Sequence, residues 1–123
     1  MTARYYGSSE ELLGHYGWYM GNSQVRTHPV GTLKPNDFGL FDMHGNIWQW
    51  CQERGIASRP WGKVKPPRED REDTAAVLEL NGRVLRGGGF YDHASFLRCA
   101  ARLDNRPYQV DDYFGMRLAR TIK

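Results

Sequence analysis

The pattern of apolar and polar positions is clearest between residues 47 and 51, where Ile47, Gln49 and Cys51 alternate with Trp48 and Trp50. A period of two predicts a strand with both indoles on one face. Upstream, residues 36–46 (Asn-Asp-Phe-Gly-Leu-Phe-Asp-Met-His-Gly-Asn) mix turn formers with bulky apolar side chains. This is the composition of a tightly folded loop in which Asp42 and Asn46 satisfy backbone groups. Val77-Leu78-Glu79-Leu80, Asn81-Gly82 and Arg83-Val84-Leu85-Arg86 read as a hairpin, because Asn-Gly supplies the positive-φ pair of a two-residue turn. Two further strands are predicted at Phe96–Arg102 and at Phe114–Arg120, the second with Phe114, Met116 and Leu118 on one face.

Helical signals are sparse. Ser8 followed by Glu11 and Leu12-Leu13 has the form of a reciprocal cap and predicts a short helix ending near Gly14. Met1–Gly7 is expected to be extended and anchored by Tyr5 and Tyr6, and Thr27–Gly31 is extended because Pro29 disfavours helix before it. Glu53–Thr74 carries Gly55, Pro60, Gly62, Pro66 and Pro67 with no period, which predicts a long surface loop. Its mixed charges at Arg68–Asp73 suit a solvated face. These elements amount to an α+β fold with large irregular regions and no internal repeat.

Composition bounds the function. At 123 residues the chain fits a single domain, 1–123, with one core. Fourteen glycines beside four tryptophans, seven tyrosines and five phenylalanines describe loops pinned by large rings. A formal charge of +3, spread among acidic residues, argues against a nucleic-acid partner. No apolar run is long enough for a membrane span and no signal-peptide pattern opens the chain, so a cytoplasmic location is expected. Cys51 and Cys99 are too few for a disulfide framework or a zinc site and are expected as reduced, buried thiols.

No nucleophilic triad spacing is visible, and the histidines at 15, 28, 44 and 93 hold no pair at helical ligand spacing. Gly87-Gly88-Gly89 lacks the Lys-Ser/Thr of a phosphate loop and suits a bulge or a close backbone approach. Asp92-His93 just after it is a candidate catalytic pair, although adjacent strand residues point to opposite faces. The candidate metal ligands are Asp42, Gly45, Ile47 and Gln49, whose carboxylate, carbonyl and amide oxygens are donors that calcium accepts. On these residues alone, Asp42 and Asn46 tying down the loop is the stronger reading.

Several ordered blocks resemble the formylglycine-generating enzyme, or sulfatase-modifying factor, family. They are His28-Pro29-Val30-Gly31, Pro35-Asn36, Phe38 to Trp50, Val84 to Gly89, Arg98-Cys99-Ala100-Ala101-Arg102, Asn105 with Pro107, and Gly115-Met116-Arg117. The resemblance implies a variant of the C-type lectin fold, a structural calcium at the positions of Asp42, Gly45, Ile47 and Gln49, and, in active members, copper held by two cysteines. It also implies that the chain corresponds to the C-terminal half of a longer domain, with an uncovered apolar surface favouring homo-oligomers. Such domains are often joined to protein kinases in bacteria.

The chain departs from that pattern at the chemistry. Asp92 falls where the first copper cysteine is expected, the segment for the second is shortened, Gly89 replaces a serine, and Cys99 takes a structural position. A hard carboxylate cannot replace a thiolate on Cu(I), so copper is not expected. Nor is the family's iron-dependent sulfoxide synthesis, whose histidine cluster lies in a helical domain missing from the sequence. Gln49 stands where a glutamate is usual, which weakens the expected calcium site. The first expectation is a non-catalytic module for a protein or peptide ligand. The alternatives are an oxidase acting on a protein cysteine, with chemistry rebuilt around Asp92 and His93, and a ligand-display domain using Tyr91, Tyr108 and Tyr113.

Overall fold

The structure is a computed structural model describing residue 2, residues 4–55 and residues 82–119. Six short strands lie among these residues: β1 (Gly17–Trp18), β2 (His44–Gly45), β3 (Trp48–Arg54), β4 (Arg83–Arg86), β5 (Arg102–Asn105) and β6 (Phe114–Gly115). Helical structure among the described residues is confined to two 3-10 turns, Leu13–His15 and Ala94–Phe96. This is a small α+β arrangement, poor in helix as expected. Most of the predicted loop Glu53–Thr74, the Val77–Leu80 strand and Asn81 of its turn lie outside the described residues.

Four strands form one sheet in the order β5-β4-β3-β6. β4 pairs antiparallel with both neighbours, setting Trp50 opposite Leu85 and Leu85 opposite Leu103. β6 runs parallel to β3, with Trp48 opposite Phe114 and Gln49 opposite Gly115. β3 starts within the Trp-Gln-Trp alternation, as its period dictates. Its Trp48 joins Val84, Leu85, Phe90, Leu97 and Leu13 in the buried apolar set. Trp50 is half-buried and meets Phe114 edge to face at 5.6 Å between ring centres.

A second, two-stranded sheet pairs β1 and β2 in parallel, Gly17 with His44 and Trp18 with Gly45. Gly45 is required there on two counts. Its φ is +80°, and a Cβ would lie 2.2 Å from the Trp18 carbonyl oxygen. The pairing docks the segment around Trp18 onto the loop before β3.

Four expected elements take a different form. The helix from Ser8 shrinks to Leu13–His15, and Ser9 rather than Ser8 bonds the Glu11 amide, accepting it on Oγ at 3.2 Å. The Ser8 carbonyl instead accepts from buried Arg4, whose guanidinium also bonds the carbonyls of Leu97 and Ala94. Met1–Gly7 is not extended where it is described: Arg4 and Gly7 exchange backbone hydrogen bonds at 3.0 and 3.1 Å, closing a tight turn. Phe96–Arg102 is a turn anchored by fully buried Leu97, and the strand begins only at Arg102. β6 stops at Gly115, leaving Met116 and Leu118 exposed.

Candidate functional site

The loop of residues 36–46 takes the irregular path its composition predicts. Asp42 and Asn46 are non-glycine residues at positive φ, +55° and +67°, a region that Asp and Asn enter more readily than most side chains. Asn46 clamps the backbone of His28 from both sides: Oδ1 accepts its N–H and Nδ2 donates to its carbonyl, each at 2.9 Å. Asp42 Oδ2 accepts the Gly31 amide at 2.8 Å. Together these bonds bind the His28–Gly31 segment to the loop.

All four residues expected to hold a metal ion line one cavity of about 430 Å³, together with Val30, Leu40, Phe41, Met116 and Arg117. Asp42 is only 6% exposed, and its Oδ1 is buried without a hydrogen-bond partner. A buried carboxylate oxygen in that position is costly unless a cation or donor meets it. Gln49 is already engaged: Nε2 donates to the Asp42 carbonyl at 3.0 Å, and Oε1 accepts Arg117 Nε at 2.9 Å. Arg117 Nη2 donates to the carbonyls of Phe41 and Asp42. Arg117 belongs to the Gly115-Met116-Arg117 block but is not among the candidate site residues, since nothing along the chain places it beside residues 41–49. The structure does so by running β6 alongside β3. Gly115 makes this contact close, because a Cβ there would lie 2.1 Å from Ile47 Cδ1.

Asp92 and His93, the candidate catalytic pair, have different surroundings. Asp92 Oδ2 accepts the indole Nε1–H of Trp48 at 2.6 Å and the Gly89 amide at 2.8 Å. The carboxylate thereby braces the glycine run against the first residue of β3. His93 is exposed and precedes the Ala94–Phe96 turn. Exposure at Tyr91 and Tyr108 is high, while Tyr113 is half-buried and its hydroxyl is pushed up by a hydrogen bond to Asp111.

Cys99 departs from expectation: it is exposed, and neither cysteine forms a disulfide. Its Sγ lies 4.0 Å from Nε2 of His44, a residue 3% exposed. His44 stacks on Tyr5 at 5.1 Å between ring centres within a cluster that includes Tyr6 and Tyr16. Desolvation, and secondarily Arg4, push its pKa down to about 4, so the ring is neutral at pH 7. This pairing joins residues 55 positions apart and had no local signal. Among the described residues, no group of three His, Cys, Asp or Glu side chains is placed to hold a metal ion. No helix among them is long and apolar enough to cross a membrane.

Comparison with known proteins places this geometry in a family. The chain is 34% identical over 96 residues to the serine/threonine-protein kinase pkn1 of Chlamydia pneumoniae, covering 78% of this chain and 15% of the kinase. It is 34% identical over 96 residues to the formylglycine-generating enzyme of Thermomonospora curvata, covering 76% of this chain and 31% of that enzyme. The chain thus spans less than a third of the length of either relative. Among solved structures, Treponema denticola variable protein 1 superposes with a TM-score of 0.65 at 29% identity, over 88% of this chain and 37% of that one. CarF shares the fold with a TM-score of 0.60 at 23% identity, over 89% of this chain and 34% of its own. The family description "Sulfatase-modifying factor enzyme 1-like domain" matches residues 3–122, and the chain belongs to that family.

Proposed function

We propose that this chain is a non-catalytic member of its family, a binding or accessory module for a protein or peptide on a C-type-lectin-like variant of the fold. The observation that carries this reading is Asp92. It occupies the position where the resemblance calls for a copper cysteine, and its Oδ2 is committed to Trp48 Nε1–H and the Gly89 amide. A hard carboxylate does not fit Cu(I), and Cys99 faces a neutral imidazole rather than a second cysteine. Exposed Val30, Phe38, Met116 and Leu118 offer apolar surface for a partner or a second copy.

A weak structural calcium belongs to the same proposal. The unpartnered Asp42 Oδ1 supplies the charge such an ion needs, and Gly45, Ile47 and Gln49 line the same cavity. Bound there, calcium would neutralise Asp42 and stiffen the loop ahead of β3. Glutamine in place of a carboxylate at position 49 lowers the affinity.

The test is to load the chain with copper and incubate it in air with a cysteine-containing sulfatase peptide, following the peptide by mass spectrometry. An unchanged cysteine is expected, and conversion to formylglycine would overturn the proposal in favour of a protein-cysteine oxidase. A second reading is ligand display, in which exposed Tyr91 and Tyr108 make the contacts. In that case Tyr91→Ala and Tyr108→Ala abolish binding of a peptide selected against the chain from a displayed library.

A further inference from the structure

We propose that the Arg117 guanidinium is the built-in cation of the Asp42–Gln49 cradle, and that its contacts there and a bound calcium ion exclude one another. The inference rests on reading the cradle as a calcium site and adds what controls it. Three neutral oxygens at the cavity, the Gln49 side-chain oxygen and the carbonyls of Phe41 and Asp42, are the kind of ligand a hard cation takes. In the structure all three accept N–H groups of Arg117. Both polar ends of the Gln49 amide are consumed in the same network, Nε2 by the Asp42 carbonyl.

Charge points the same way as geometry. Among the described residues lining the cavity, Asp42 is the one carboxylate and Arg117 the one base. Their formal charges balance without a metal. A divalent ion would be placed beside a like charge and would also have to take oxygens from its donors. Arg117 is exposed and lies beyond the end of β6, so it can leave the cradle without breaking a strand. Asp42 Oδ1, which bonds neither Arg117 nor any backbone amide, is the attraction that keeps calcium competitive.

Calcium titration by calorimetry on the wild-type chain and on Arg117→Gln, Arg117→Lys, Gln49→Glu and Gln49→Glu/Arg117→Gln tests this. Arg117→Gln is expected to raise calcium affinity about tenfold or more. Arg117→Lys, which keeps the charge, gains less. Gln49→Glu is expected to gain more in the Arg117→Gln background than alone, because Arg117 otherwise pairs with the new carboxylate. Equal calcium affinity in wild type and Arg117→Gln, with Gln49→Glu binding more tightly, overturns mutual exclusion and leaves the calcium cradle standing. Absence of binding in all five proteins overturns the cradle reading, and this inference with it. A readout without substitution is the Arg117 Nε–H resonance of the wild-type chain. Calcium should shift it to the position of a solvent-exposed arginine, and saturation without any shift overturns the exclusion.

Discussion

Two carboxylates, Asp92 and Asp42, stand close to β3 and are held in opposite ways. Asp92 gathers an indole N–H and a backbone amide on one oxygen. Asp42 engages one oxygen with the Gly31 amide and leaves the other buried and unpartnered. The first is a brace, with one oxygen engaged twice by the fold. The second keeps an unmet electrostatic demand at a buried oxygen. The residue whose place in the chain suggested chemistry is thus tied into the fold through one oxygen, and the residue that read most simply as a loop tie has a buried oxygen without a hydrogen-bond partner.

The largest effect that can break this contrast is expected at Asp92. Replacing it with alanine strands the Trp48 indole and the Gly89 amide, costing about 2–4 kcal/mol, measured by urea unfolding. Asp92→Asn, which retains an acceptor, should lose about 1 kcal/mol. Wild-type stability in Asp92→Ala would show that the carboxylate is not a brace.

A pH series separates both carboxylates from His44. His44 has a folded-state pKa near 4 against 6.5 for the free side chain. The unfolded chain therefore binds this proton more readily, and stability rises with pH across that interval. The contribution is complete above 6.5 and is lost as pH falls toward 4, on the order of 3 kcal/mol. Thermal unfolding between pH 7 and pH 4 should show this slope, and His44→Phe should flatten it. An unchanged slope in His44→Phe would assign the acid sensitivity to other groups.

A smaller effect belongs to Asn46, which holds the loop against His28 beside Asp42. Asn46→Ala removes two side-chain hydrogen bonds and places a less tolerant residue at φ +67°, for a loss of about 2 kcal/mol. Equal stability of wild type and variant in urea would show that the clamp contributes nothing. The smallest change is expected for Asp42→Asn. It removes a buried charge but keeps an acceptor for Gly31, so the calcium-free chain shifts by no more than about 1 kcal/mol. Any calcium-induced rise in melting temperature should disappear with it, and a persisting rise would place the ion elsewhere.

Much of the fold around β3 was legible in the chain. Alternation at residues 47–51 marks the strand, and Asp42 and Asn46 announce a path held by side-chain hydrogen bonds. The helix at Ser8 and the strand at Phe96–Arg102 were misread for one shared reason. Local propensity there is overridden by Arg4 and Leu97, which bury together and draw the carbonyls of Ser8, Ala94 and Leu97 into one network. A propensity of a few tenths of a kcal/mol per residue cannot compete with satisfying a buried guanidinium.

At the site, the sequence by itself determined the donor types: one carboxylate at 42, an amide in place of a second at 49, and a carboxylate rather than a thiol at 92. Those identities set what each group can bind, because hardness and charge are properties of the side chain. Only the tertiary structure decided which oxygens are spent. It laid β6 against β3 and brought Arg117 onto Gln49, 68 positions away. It also turned Asp92 onto Trp48 across 44 positions. Such pairings depend on strand register and close glycine contacts, which carry no local signature along the chain.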